Sequence, residues 1–352
     1  RRGTTGSSRT DARAPGSGGL TAYTWGQAWP ADYPAEPVKS DYISRSADNV
    51  HQGMAAFSSR GPCLDGRVKP EIVGPGTDVV SCRSSATSGT GWGVYNARYL
   101  FSGGTSMSCP LCAGAAAVVR QYYAERSSHT NPTAALVKAT LVNGARTLSY
   151  GQYGWQQYRE IPPLPRPNNV EGWGQVDLAP TLLPGTGRTN IAVDRVTLAT
   201  GTEHSYSLAV GGSNTLSVTL TWTDYPGTFA AEAKLVNDLD LFVIAPDGRT
   251  NHANGLVYGD RVNNVEGVDL DPAAAGVYTI VVRGHNVPQG PQPYALVMRE
   301  GAPFTGPRLS IETNIVIVAM AGSTATVNAV MNNTGDSNLS FRLEKSAARY
   351  SW

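Results

Sequence analysis

The chain is poor in cysteine, in charged residues and in long apolar runs, and each shortage excludes a class of protein. Four cysteines in 352 residues are too few for a disulfide-dense scaffold. Charged residues make up 16%, and the formal net charge of +1 provides no basic field of the kind that nucleic-acid binding needs. No apolar run approaches the roughly 20 residues of a membrane-spanning helix.

Glycine and proline, in contrast, are abundant, with 39 and 23 residues, and 41% of the residues are hydrophobic. This composition favours many turns and short strands over long helical bundles. At about 100–200 residues per domain, the length predicts two or three domains with packed cores.

Both ends of the sequence are atypical of a complete protein. The chain does not start with Met, it shows no secretory signal pattern, and residues 1–19 carry no aliphatic residue larger than Ala. We expect a disordered or non-native start over 1–19. Residues 303–352 are predicted to be a linker and the truncated start of a further β domain, because so short a strand series rarely buries a sufficient core. The chain is therefore interpreted as a fragment.

The central sequence changes character along its length. Residues 20–48 predict an irregular surface excursion, and short apolar runs over 54–82 predict buried strands. Residues 106–124, rich in small side chains, predict a buried helix, and a second helix is expected with Asn131 as N-cap and Gly144 as C-cap. From about residue 190 the apolar period becomes two, which predicts an antiparallel β sandwich over 188–302.

Ser106 is the strongest candidate for a catalytic residue. It follows Gly103-Gly104-Thr105 and directly precedes the small-residue helix. The first N–H groups of a helix are unpaired and lie at the positive end of the dipole, so they can stabilise an oxyanion that forms when a serine attacks a carbonyl. For a bare Gly-Thr-Ser, an ordinary helix N-cap is the simpler interpretation.

Neighbouring motifs change this balance. Phe57-Ser58-Ser59-Arg60-Gly61-Pro62, Lys69-Pro70-Glu71-Ile72-Val73-Gly74-Pro75-Gly76 and Gly104-Thr105-Ser106-Met107 occur in this order. Together they resemble the C-terminal half of a subtilisin-type (subtilase) catalytic domain, in which the serine of Gly-Thr-Ser-Met is the nucleophile. Gly172–Asp177 resembles the end of that domain, and the later strands resemble the C-terminal β-barrel or jelly-roll domain of alkaline subtilases. The resemblance implies an α/β catalytic domain, C-terminal half only, over 20–187, followed by all-β sandwich domains.

The sequence also departs from the family pattern. A serine needs a base and an orienting carboxylate, but the family's Asp-Thr/Ser-Gly and His-Gly-Thr-His motifs are absent, as is the segment with the oxyanion-hole Asn. His51 is the only histidine before Ser106, and we interpret it as a surface-loop residue rather than the base. The triad His and Asp are therefore expected upstream of this sequence.

The cysteines and Met107 leave alternatives open. Cys109 and Cys112 form a C-x-x-C without a second ligand pair, so packing in a helix is favoured over zinc or redox chemistry. Cys63 and Cys82 could pair in an oxidising compartment, although free thiols are favoured. Met107 is either an oxidation-sensitive neighbour of the nucleophile or a packing residue.

The β region is rich in oxygen ligands. Asp238, Asp240, Asn264 and Glu266 lie in clusters of the kind that hard cations bind, and related β domains commonly hold Ca²⁺. The resemblance therefore implies a structural calcium site at these four residues, with turn formation by Asn and Asp as the alternative. No catalytic cofactor is expected.

Taken together, these features predict a secreted serine endopeptidase acting on polypeptides through Ser106. This fragment alone is expected to be inactive, and no nucleic-acid partner or membrane span is expected. The alternative is a catalytically inactive subtilase-like protein that acts as a binding module through its β domains.

Overall fold

The computed structural model describes most of the first 301 residues and two short segments beyond them. The described ranges are 5–8, 19–43, 53–126, 129–148, 151–153, 159–162, 165–183, 190–211, 214–301, 309–311 and 331–333. The chain divides into two compact units, Arg1–Pro303 and Phe304–Trp352.

The first part of the larger unit combines short strands with helices. Its strands are β1 (Thr5–Ser8), β2 (Ile72–Pro75), β3 (Val79–Cys82), β4 (Gly93–Val94) and β5 (Tyr99–Ser102). Its helices are α1 (Trp25–Ala28), α2 (Thr105–Arg126), α3 (Ala134–Gly144) and α4 (Ala179–Leu182), with a 3-10 turn at Gly19–Ala22.

Of the two alternatives predicted for 1–19, a disordered or a non-native start, the disordered one does not hold for residues 5–8. These residues form β1, which pairs in parallel with β2 from Thr5 opposite Ile72 to Ser8 opposite Pro75. The strand is formed by backbone hydrogen bonds to a largely buried neighbour. Composition does not reveal such pairing, because it reports only what side chains can bury.

The helix predicted over 106–124 is present, but much of α2 is exposed. Its buried positions include Cys112, Val119 and Tyr123, whereas Leu111 and Val118 are 41% and 47% exposed. Small side chains indicate that other elements can pack closely against a helix. They do not indicate that the described chain covers the helix on every side. Likewise, β3 forms where it was predicted, as an edge strand of the three-stranded sheet β3–β5–β4, but it is mostly exposed rather than buried.

The second helix begins two residues later than predicted. The N-cap of α3 is Thr133, whose hydroxyl oxygen accepts a hydrogen bond from the Leu136 N–H at 3.1 Å. The same hydroxyl donates to Asp194 Oδ1 at 2.6 Å. This contact with a distant strand favours Thr133 over Asn131 as the cap, and local sequence could not indicate it.

Residues 190–301 form two four-stranded antiparallel sheets, called here the two-sheet region. The strands are β6 (Asn190–Leu198), β7 (Glu203–Val210), β8 (Asn214–Trp222), β9 (Asp238–Ile244), β10 (Thr250–His252), β11 (Val265–Ala273), β12 (Gly276–Asn286) and β13 (Gln292–Gly301). Their orders are β10–β9–β12–β7 and β11–β8–β13–β6, and a 3-10 turn covers Ala253–Gly255. Buried side chains of both sheets, including Leu220, Trp222 and Ile280, share one core.

Helix α3 joins this region to the first part of the chain. Leu136 and Leu141 pack in the same hydrophobic cluster as Ala295 and Val297 of β13. The Thr221 hydroxyl donates to the Ala135 carbonyl at 2.7 Å. The two parts therefore share a buried interface rather than a flexible connection.

The smaller unit contains β14 (Leu309–Ile311) and β15 (Met331–Asn333), which pair antiparallel. The rest of the strand series predicted over 303–352 lies outside the described residues. Within the described part of the chain, every helix is too short or too polar to cross a membrane.

Candidate functional site

Ser106 lies exposed in the first turn of α2, where the sequence places it. The Gly104 carbonyl accepts the first hydrogen bonds of the helix, from Met107 N at 3.0 Å and Ser108 N at 3.4 Å. The N–H groups of Thr105 and Ser106 precede these bonds and have no intrahelical acceptor. They are therefore available to stabilise negative charge next to the Ser106 hydroxyl.

The two glycines before Thr105 and Ser106 are required for different reasons. Gly104 has φ +138°, a backbone conformation that L side chains rarely adopt. At Gly103 a Cβ atom would collide with the indole of Trp92, which packs against this position. The sharp turn therefore depends on Gly104, and the close approach of an aromatic ring depends on Gly103.

Trp92 belongs to an aromatic cluster that sequence analysis did not find. Its ring centroid lies 6.3 Å from that of Phe57 and 6.5 Å from that of Trp29. Trp25 is fully buried in the same cluster, so part of the stretch predicted as a surface excursion packs near the turn that precedes Ser106. The density of aromatic residues over 23–33 was the available signal, because aromatic side chains in such number are rarely all exposed.

Ser108 fastens α2 to β2. Its hydroxyl is fully buried and lies 3.0 Å from the carbonyl oxygens of both Gly74 and Pro75. One residue further along, the Gly76 carbonyl accepts the Gly104 N–H at 2.7 Å. The end of β2 therefore holds the first turn of the helix from two sides.

We expect Ser108→Ala to lower the free energy of unfolding by about 1–2 kcal/mol, because buried carbonyls lose a donor. Chemical denaturation of the full chain measures this loss. Ser205→Ala, at an exposed position of β7, is the matched control and should change stability little. Equal losses in the two variants would contradict the anchoring role of Ser108.

Pro110 and the two cysteines occupy the next turn. Pro110 is the sixth residue of α2 rather than part of its first turn, so the Ser106 carbonyl lacks its usual i+4 donor. Cys112 is buried against Gly74, whereas Cys109 is exposed. Burial, assisted by Cys109, raises the pKa of the Cys112 thiol to about 11. Cys112 therefore fits the packing interpretation. Cys109 does not, because its side chain is exposed.

Of the two other sulfur predictions, only the one on Cys63 and Cys82 has an outcome. Cys63 and Cys82 are both free thiols in the structure. Met107 is partly buried, and its sulfur lies near Gly104, so its packing and its oxidation sensitivity remain alternatives. Among the described residues, no group of three His, Cys, Asp or Glu side chains is placed to hold a metal ion.

The described chain does not supply a base to Ser106. His129 contacts the Ala192 carbonyl, His204 contacts the Tyr294 hydroxyl, and His252 packs on a phenyl ring. His285 lies beside Asp240 in the two-sheet region. His51 lies outside the described residues. No described histidine or carboxylate is hydrogen-bonded to the Ser106 hydroxyl.

One buried carboxylate, just before β2, has a structural role. Glu71 Oε1 forms ion pairs of 2.8 Å with both Lys69 and Lys138. Burial opposes ionisation of Glu71, but the two ammonium groups hold its pKa below the usual range. A carboxylate that is kept ionised and paired stabilises the packing of α3 near β2 and is a poor general base.

The four predicted calcium ligands lie near one another in the two-sheet region. Asp238 and Asp240 are on β9, Glu266 is on β11, and Asn264 directly precedes β11. Burial raises the pKa of Asp238 to about 7, with nearby Asp240 and Asp260 adding to the rise against the effect of Arg261. Burial, assisted by the charge of Asp260, raises the pKa of Glu266 well above its usual value. The calcium site itself stays a prediction.

Comparison with known proteins agrees with the motifs around Ser106. Residues 15–174 match the model of the subtilase family. The Serine protease/ABC transporter B family protein tagB of Dictyostelium discoideum is 31% identical over 304 aligned residues, covering 69% of this chain and 16% of that protein. Subtilisin-like protease SBT4.15 of Arabidopsis thaliana is 35% identical over 35% of this chain and 17% of its own length.

A bacterial relative matches a shorter region. Serine protease AprX of Bacillus subtilis is 36% identical over 22% of this chain and 18% of its own length. The chain thus spans less than a fifth of each of these relatives. The matched region contains the predicted nucleophile and the three ordered motifs. Residues 15–174 of this chain therefore belong to the subtilase family of serine proteases.

Proposed function

We propose that this chain carries the nucleophile of a secreted, subtilisin-type serine endopeptidase that cleaves polypeptides. Ser106 would attack the peptide carbonyl, and its own N–H would help to bind the resulting oxyanion. The observation that supports this proposal most directly is the exposed position of Ser106 in the first turn of α2, within the matched region.

The absence of a described base supports a second part of the proposal. The triad His and Asp, and the side-chain Asn of the oxyanion hole, would come from polypeptide upstream of this sequence. In that case residues 20–187 are the C-terminal part of the catalytic domain. The two-sheet region would be the β sandwich that follows it in alkaline subtilases.

Uncovered surfaces beside Ser106 are consistent with a missing layer. Leu111, Gly114 and Val118 are exposed at spacings that place them on one face of α2, where an amphipathic helix normally buries apolar side chains. The β1–β2 pair is parallel, and β1 has no second neighbour among the described strands. Parallel sheets normally have more strands and are covered on both faces. Additional strands that extend the β1–β2 pair and pack on α2 would bury both the free edge of β1 and the exposed face of α2.

A fluorophosphonate probe tests the proposal, because it reacts only with an activated serine. The 352-residue chain should show no labelling above its Ser106→Ala variant, since a hydroxyl without a base is a weak nucleophile. The protein expressed with its native upstream sequence should label at Ser106, and Ser106→Ala should abolish that labelling.

Two outcomes would count against the proposal. Labelling of the 352-residue chain at Ser106 would show that the base lies within it. A longer protein that folds but fails to label would refute the endopeptidase function. It would favour the binding-module alternative, which the lack of a described base at Ser106 also suits.

A further inference from the structure

The centre of the predicted calcium cluster is occupied by a side chain of the protein. The Arg261 guanidinium contacts both carboxylate oxygens of Asp240, with Nη2 3.2 Å from Oδ2 and Nη1 against Oδ1. Nη1 also lies 3.4 Å from the Asp238 carboxylate. Asp240 is almost fully buried, so its charge requires a close partner.

The other two predicted ligands are engaged differently. Glu266 is fully buried, and its Oε2 accepts the Leu241 N–H at 2.6 Å, while no described group is hydrogen-bonded to its Oε1. The Asn264 amide donates to the Trp222 carbonyl at 3.0 Å. Glu266 and Asn264 thus form hydrogen bonds with the backbone of neighbouring strands and do not point toward a shared ligand position.

These contacts do not fit a calcium ion at the four residues. Ca²⁺ takes six to eight oxygen ligands, with carboxylates turned toward it. Here Asp238 and Asp240 turn toward a guanidinium, which would repel a second cation at the same place. The orphaned Glu266 Oε1 is the one feature that suits a metal. Within the described chain, however, no three acidic, His or Cys side chains converge as metal ligands.

We propose that Arg261 is the internal cation of this cluster and takes the place of the metal ion that the sequence predicts there. Its two-point contact with Asp240 ties the loop before β11 to strand β9. Asp260, next to Arg261, strengthens the same loop, because its carboxylate accepts the N–H groups of Val262 at 2.8 Å and Asn263 at 3.0 Å. The His285 imidazole also lies beside Asp240, with its Nδ1 3.8 Å from Asp240 Oδ2.

Thermal unfolding of the full chain tests whether Arg261 balances the carboxylate charge and whether it takes the place of a metal ion. Arg261→Gln should lower Tm by roughly 5 °C, because it leaves a buried carboxylate without its partner. The double variant Arg261→Gln/Asp240→Asn should lose less than the sum of the single variants, since each partner is costly mainly when the other remains. Millimolar CaCl₂ in place of EDTA should not shift the Tm of the unmodified chain.

Arg283→Gln is the matched control. Arg283 lies on β12 beside β9, and its ion pair with Glu203 is half exposed, so its loss should change Tm little. A loss at Arg261 no larger than at Arg283 would overturn the proposal, as would a rise in Tm with CaCl₂. If Arg261→Gln does not fold, Arg261→Lys, which keeps the charge, must fold and be less stable than the unmodified chain. A soluble Arg261→Gln with unchanged Tm refutes the role.

Discussion

Replacing Asn143 by Leu is expected to lower the free energy of unfolding by about 3–5 kcal/mol, because it breaks a buried network at the contact between α3 and the two-sheet region. The Asn143 amide nitrogen lies 3.1 Å from both the Ser217 carbonyl and the Thr219 hydroxyl. Its amide oxygen accepts Arg299 Nε at 3.1 Å. Asn143 is fully buried, so water cannot replace these bonds in the folded state.

Urea or guanidinium unfolding followed by far-UV circular dichroism measures the loss. Asn131→Leu is the control, because it makes the same change at an exposed residue before α3 and should alter stability by less than about 0.5 kcal/mol. A loss at Asn143 as small as at Asn131 would mean that the contact with the two-sheet region contributes little. A large loss in one cooperative transition would mean that α3, which packs on α2, and the two-sheet region unfold together.

The second large effect is expected at Gly103, in the turn that precedes Ser106. Gly103→Ala places a methyl group against the Trp92 indole and should destabilise the chain by about 1–3 kcal/mol, the typical cost of overpacking. The ring cannot easily retreat, because Phe57 and Trp29 pack around it. In a Trp92→Ala background the same substitution should cost much less, because the colliding ring is gone.

Gly114→Ala is the matched control and is expected to have the opposite sign. Gly114 lies inside α2, and a Cβ added there has no neighbour within 4 Å. Alanine should therefore stabilise the helix by about 0.5–1 kcal/mol. Chemical denaturation compares the two variants directly. If both glycines tolerate alanine equally, Trp92 does not pack against Gly103 as described.

Much of the local structure followed from the sequence alone. The alternating segments after residue 190 became strands, because a period of two places the apolar side chains of a strand on one face. Ser106 was placed at a helix start by the glycines before it and the small residues after it. The match of 15–174 to the subtilase family agrees with the ordered motifs.

Other features depended on contacts between residues far apart in the chain. Thr133 rather than Asn131 caps α3 because Asp194, some 60 residues later, accepts a hydrogen bond from the Thr133 hydroxyl. Residues 5–8 form a strand because β2 supplies the backbone partners. Neither Asp194 nor β2 is visible in the local pattern that a sequence prediction uses.

The sequence by itself determined the predicted nucleophile, the family resemblance and the order of helical and β regions, since these depend on short motifs and on the period of apolar residues. Only the tertiary structure decided which atoms surround those residues. It brought Trp92 against Gly103, joined Ser108 to the end of β2, and placed Arg261 between Asp238 and Asp240. The sequence of a carboxylate pair does not indicate whether a metal ion or a guanidinium balances its charge, because the partner is decided by which cation lies close in the folded chain.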